Sequence, residues 1–113
     1  SSQLIMIISD DDLYQAAIQV GENPDAAKAV VERLPELHSV VLRYLISFLQ
    51  LFARAEVSAV TKMDASNLSM VFAPNFLRCP SDDPVVIMEN TRKEMAFVKV
   101  LIHSLDTENM RDV

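Results

Sequence analysis

PELHSVVLRYLISFLQLFARA, residues 35–55, decides the fold class. Its apolar residues Leu37, Val41, Tyr44, Leu45, Phe48, Leu49 and Phe52 recur at intervals of mainly three and four, with Val40, Ile46 and Leu51 widening the stripe. That is the period of an α-helix rather than of a strand. A helix apolar around so much of its circumference belongs near the centre of a bundle, with Arg43 and Arg54 marking its wetter side.

The rest of the composition agrees. Average glycine usage of about 7% would give roughly eight glycines, and this chain has one. Hairpin-rich β folds need left-handed turns that glycine supplies, so they are disfavoured. At 113 residues the chain is long enough for one domain with a real core. The expectation is an all-α helical bundle.

Working outward, Leu13, Ala16, Ala17 and Val20 follow Asp10–Asp12 at helical spacing, and Gly21 supplies a stop. Asn23-Pro24 reads as an N-cap followed by a first-turn proline, opening a helix with Ala27, Val30, Val31 and Leu34 inward. Residues 56–62 read as a short connection. Asp64 caps a helix over about 65–73, which Pro74 stops, with Leu68, Met70, Val71 and Phe72 in the core. Asp83-Pro84 opens the last helix, in which the polar block ENTRKE at 89–94 is either an exposed stretch or a break. Leu4–Ile8 is expected to pack against the helices. The domain boundaries expected are 1–9 for a divergent apolar segment or expression scar, 10–107 for the folded domain and 108–113 for a polar tail, with fraying from Thr107.

Several functions are excluded by residue supply. A net charge of −6, with ten basic residues spread along the chain, does not suit nucleic acid. It also suits anionic lipid poorly. The longest apolar run is too short for a transmembrane segment. Cys79 stands alone, which excludes an internal disulfide and suits a reducing, cytoplasmic setting. With His38 and His103 it offers no zinc spacing, and one glycine cannot build a phosphate loop. The sequon Asn67-Leu68-Ser69 falls inside a helical core pattern and is set aside. Met63, Met70, Met88 and Met95 read as core methionines, with an adaptable groove as the alternative. No metal, cofactor or enzyme chemistry emerges. Asn67 at the head of NLSMVFAPNF stays open between two roles, serving a neighbouring backbone group or presenting its amide to a partner.

LPELHSVVLRYLISFL followed by TKMDASNLSMVFAPNFL resembles the later part of a RhoGAP domain, the module that activates Rho-family GTPases. The matching positions are Leu34-Pro35, His38, Leu42, Leu45, Lys62-Met63, Asn67-Leu68, Phe72 and Pro74. CPSDDPVVIMENTRKEMAFVKVLIHSLDT is similar to the Vilse (CrossGAP) type, which joins a MyTH4 domain to a RhoGAP domain. Thr61 and His38 stand where the family often has asparagine, and LIMIIS stands where it tends to read Pro-Leu-Ile-Pro.

The resemblance implies a partial RhoGAP fold lacking its N-terminal helices, and a GTP-bound Rho, Rac or Cdc42-type GTPase as partner. It implies a regulator of a partner enzyme, acting in cytoskeletal signalling. The family's arginine finger sits in an upstream Gly-x-Phe-Arg-type loop that this chain lacks, so no catalytic residue is assigned and the chain alone is expected to be inactive. By resemblance Asn67 faces the GTPase, with Lys62 nearby and Asn75 and Arg78 at the rim; a solvated cation remains the alternative for Lys62 and loop packing for Asn75. The rival functions are a non-catalytic GTPase-binding or scaffolding module and a helical fragment that self-associates through exposed apolar surface.

Overall fold

A computed structural model describes residues 6–110. Among these residues there are six α-helices and one short 3₁₀ turn: α1 Asp11–Ile18, α2 Pro24–Glu32, α3 Glu36–Phe52, α4 Ala55–Thr61, α5 Ala65–Phe76, α6 Pro84–Ser104, and Glu108–Met110. The all-α expectation stands. Local chemistry accounts for the helix starts. Asp10 accepts from the Leu13 N–H at 3.0 Å, Asn23 from Asp25 and Ala26, Asp64 from Asn67, and Asp83 from Val85. Pro24 and Pro84 occupy the first turns of α2 and α6, where their missing N–H costs nothing. Beyond α1, Gly21 takes a φ of +60° and turns the chain toward α2.

The centre of the bundle is α6, not α3. Helix α6 packs against α1, α2, α3 and α5, and buries Phe97, Val98, Leu101 and Ile102. Helix α3 buries a narrower strip, Leu42, Ile46 and Leu49, and leaves the other side of its apolar circumference in solvent. The exposed residues Leu37, Val41, Tyr44, Phe48 and Leu51 form a seam with alternating steps of four and three. Leu37 is 71% exposed and Phe48 53%. Apolar periodicity reports that a face is greasy; it does not report which neighbour covers it.

Other boundaries differ from expectation for identifiable reasons. Residues 55–61 are helical rather than a bare connection. Helix α5 passes through Pro74 and ends at Phe76. The hydrogen bond that Pro74 cannot make would have gone to Met70, on the solvent side, while fully buried Phe76 holds the last turn in the core. Helix α6 runs unbroken through ENTRKE, with Asn90 and Glu94 turned inward. Ile7 and Ile8 are buried, and the Ile8 N–H donates to the Phe76 carbonyl at 2.8 Å beside a parallel bridge to Leu77. Leu4 and Ile5 lie outside the described residues. The His38 Nδ1–H donates to the Ile7 carbonyl at 2.8 Å, which fastens this segment to α3.

Thr107, placed by its sequence in a fraying tail, is buried. Its hydroxyl donates to Gln50 Oε1, while Gln50 Nε2 donates to the carbonyls of Leu105 at 2.8 Å and Ile102 at 3.2 Å. One α3 amide therefore serves the carbonyls left open at the end of α6. Replacing Gln50 with Leu strips these bonds without emptying the site. A loss of about 1–3 kcal/mol in urea unfolding is expected, and a stability equal to the parent chain would contradict this role.

Candidate functional site

The corner between α4 and α5 is held by side chain to backbone bonds. Lys62 closes α4 in the left-handed region, with φ 63° and ψ 20°. That conformation costs an L-residue about 1–2 kcal/mol. The Asn67 Nδ2–H donates to the Lys62 carbonyl at 3.0 Å, and the Asn67 backbone N–H donates to Asp64 Oδ1 at 2.9 Å. The Met63 N–H donates to Thr61 Oγ1 at 3.2 Å. Asn67 therefore does serve a neighbouring backbone, and in doing so it holds the strained residue beside it. Its Oδ1 has no hydrogen-bond partner among the described residues, so the amide keeps an acceptor free. Lys62 is exposed, and among the described residues the one ion pair is Lys28–Glu32, at 3.9 Å.

Turning 100° per residue along α5 puts Asn67, Met70, Val71 and Pro74 on one outward face. Met70 is 55% exposed and Val71 52%, so these two are not core residues as expected. Ala65, Leu68, Ser69, Ala73 and Phe76 fill the inward face instead. The helix thus presents a short apolar strip with an amide at its head and a cation just before it. Asn75 and Arg78 are also exposed, but Asn75 lies about 12 Å along the helix from Asn67. Lys62 and Asn67 are brought together; Asn75 and Arg78 belong to the other end. Arg78 lines a separate depression with Cys79, Asp82 and Glu94.

The remaining described arginines are dispersed. Arg33 ends α2, Arg54 precedes α4, Arg92 lies on α6, and the Arg43 Nε–H donates to Ser39 Oγ at 3.3 Å within α3. Arg111 is outside the described residues. Among the described residues there is no group of three or more His, Cys, Asp or Glu that could hold a metal ion, and no helix long and apolar enough to cross a membrane.

Beneath the Arg78 depression lies a polar cluster that periodicity did not reveal. The Tyr14 hydroxyl donates to Glu94 Oε2, and the Asn90 amide donates to Cys79 Sγ at 3.4 Å. Glu94 is only 8% exposed. Burial pushes its carboxyl above the ordinary range, partly opposed by the Tyr14 hydrogen bond. Burial also raises the Tyr14 hydroxyl, with the neighbouring Glu94 carboxylate adding to the rise.

Comparison with known proteins matches residues 5–81 to the RhoGAP domain. The chain is 45% identical over 95 residues to GTPase activating protein homolog 2 of Dictyostelium discoideum, an alignment covering 84% of this chain and 10% of that protein. It is 40% identical over 85 residues to Rho GTPase-activating protein 22 of Mus musculus, covering 73% of this chain and 11% of that protein. It is 30% identical over 100 residues to GTPase activating protein homolog 3 of Dictyostelium discoideum, covering 88% and 8%. The chain spans about a tenth of the length of these curated relatives.

Two outcomes follow from the geometry. Asn67→Ala removes the bond to the Lys62 carbonyl, and a loss of about 1 kcal/mol in unfolding free energy is expected; no loss would leave the corner held by other means. Glu94 retains its proton to higher pH in the folded chain than in the unfolded one, where a carboxyl titrates near about 4.3. Its contribution is therefore fully present below that range and is lost as pH rises through the folded value. Glu94→Gln still offers Tyr14 an acceptor but cannot ionise. The variant should gain stability relative to the parent as pH rises from about 4 to 8, whereas parallel pH curves would contradict the burial argument.

Proposed function

This chain belongs to the RhoGAP domain family, and from that premise we propose that it carries part of the docking surface by which its parent protein engages a Rho-family GTPase in the GTP-bound form and promotes hydrolysis. The observation that carries this reading is the outward face of α5. Asn67, Met70, Val71 and Pro74 leave a largely apolar, outward strip headed by an amide acceptor that, like the Lys62 ammonium beside it, has no partner among the described residues. An apolar strip gives a partner area to bury, and a rigid amide gives it a fixed polar contact. Lys62 meets acidic or carbonyl groups of the GTPase. Asn75 and Arg78 extend the same contact toward the far end of α5.

The chemistry belongs to the GTPase. A GAP contributes by holding the nucleotide-sensing loops in place and by inserting an arginine, and such a finger is worth about 10³–10⁵ in rate in phosphoryl transfer. In this reading none of Arg33, Arg43, Arg54, Arg78 and Arg92 is that finger: four sit in a helix or at its cap, and Arg78 follows the end of α5 beside Cys79. The chain is a regulator rather than an enzyme, acts in cytoplasmic cytoskeletal signalling, and comes from a parent of the Vilse (CrossGAP) type. Residues 10–107 form the partial domain, with 1–9 and 108–113 as its flanks.

A second reading is favoured by α3. Among the described residues the seam from Leu37 to Leu51 is a large unpartnered apolar stripe, the kind of surface that a second apolar surface covers. Two copies of this chain pairing along their α3 seams would satisfy it. Concentration-dependent mass in light scattering is expected, and a clean monomer at high concentration would remove this reading.

The docking reading is tested by Asn67→Ala in the complete parent domain. At least a tenfold drop in GTPase stimulation is expected, with loss of affinity for a transition-state complex. Unchanged values for both would return Asn67 to the local structural role alone. In single-turnover assays this 113-residue chain by itself should give no stimulation; stimulation of family magnitude would overturn the assignment of the finger to another part of the parent.

A further inference from the structure

The ten lysines and arginines look scattered in a chain of net charge −6, but the fold lines two of them, with His103, along one edge of α6. Arg92, Ala96, Lys99 and His103 succeed one another at steps of four, three and four, so they form a single stripe. Arg92, Lys99 and His103 are exposed, and none forms an ion pair among the described residues. Two depressions flank this stripe. One lies between α5 and α6, lined by Ser66, Ser69, Arg92, Met95, Ala96 and Lys99. The other lies between the α1–α2 turn and α6, where Lys99, Val100 and His103 face Gly21, Glu22 and Pro24. They meet at Ala96 and Lys99, so the small side chain of Ala96 is the saddle of one continuous groove. From Arg92 to His103 the groove runs about 16 Å along the helix.

We infer that this groove is a docking site for an acidic segment of a partner protein, one that presents Glu or Asp at helical spacing. Charge complementarity selects the occupant. Lys99 is central and Arg92 lies two helical turns away, about 10 Å, a separation matched by carboxylates seven residues apart on a helix. The floor between them, Ala96 with Met95 and Val100, is apolar and half-buried, and it suits small aliphatic side chains between the acids. Glu22 at one end and Glu89 near the other set the limits of the positive stretch, and Glu94 is turned inward to Tyr14. A membrane surface fits less well, because the cations lie along a concave groove and the remainder of the chain is acidic. The groove uses neither Asn67 nor Lys62, so it goes beyond the docking surface proposed above and stands without it.

The test uses this chain and a fluorescent 14-residue helical peptide with Glu at i and i+7 and Ala at i+3 and i+4 of the same face. Anisotropy at low ionic strength should show binding that weakens as salt rises. The double charge reversal Arg92→Glu/Lys99→Glu should weaken it at least tenfold with the circular dichroism spectrum retained. Arg54→Glu, at the start of α4, should change affinity less than twofold, and a peptide of the same composition with its spacing scrambled should bind more weakly than the patterned one. The inference is overturned by absence of peptide binding, by equal loss in Arg54→Glu, by equal binding of the scrambled peptide, or by tighter binding of anionic phospholipid vesicles or duplex RNA than of the peptide.

Discussion

Helix α6 packs against α1, α2, α3 and α5, and the rest of the bundle depends on that contact. Its inward side is apolar toward the C-terminal end, at Phe97, Val98, Leu101 and Ile102, and polar further back, at Asn90 and Glu94. Each polar group is met by a partner from another part of the chain: Tyr14 from α1 for Glu94, Cys79 from the α5–α6 loop for Asn90. Burying a carboxyl without such a partner would cost several kcal/mol. The C-terminal carbonyls of α6 are met by Gln50 of α3. Packing and polar satisfaction thus reach α6 from several sides.

With α6 at the centre, the directions of the other faces follow. Helix α5 lays Leu68, Ala73 and Phe76 inward, which forces Asn67, Met70, Val71 and Pro74 outward. Helix α3 commits one narrow strip to the core and presents its second apolar stripe to solvent. The corner at Lys62 ties local strain to the outward face, since the Asn67 amide that heads the strip also bonds the carbonyl of the left-handed residue. A residue with both duties couples the stability of the corner to the shape of the surface beside it.

Much of this was legible in the sequence. The all-α class followed from helical spacing and one glycine, and the caps Asn23, Asp64 and Asp83 followed from residue type alone, because capping is a local interaction; Asp10 was read only as part of an acidic helix start. What failed was long-range. Periodicity marked Met70 and Val71 as apolar but did not say which face of α5 met the core; phasing the helix from Leu68 and Phe76 would have placed Met70 outward and left Val71 at the flank. The stripe of α3 was visible, yet its centrality was not, since burial depends on neighbours distant in the chain. Glu94 was read as part of a polar block because its partner, Tyr14, is 80 residues away. The RhoGAP resemblance was carried by ordered motifs, and the family match supports it. The pairing of Asn67 with Lys62 required coordinates.

The outward face of α5 is the proposed docking surface for a GTPase. The direct measurement is a backbone amide titration of the isotope-labelled chain with a Rho-family GTPase loaded with a non-hydrolysable GTP analogue. The largest resonance changes are expected at Lys62, Asn67, Met70, Val71 and Asn75, with the α1 and α2 amides nearly still. Changes confined to other faces, or no change at a saturating excess of the GTPase, would contradict that proposal.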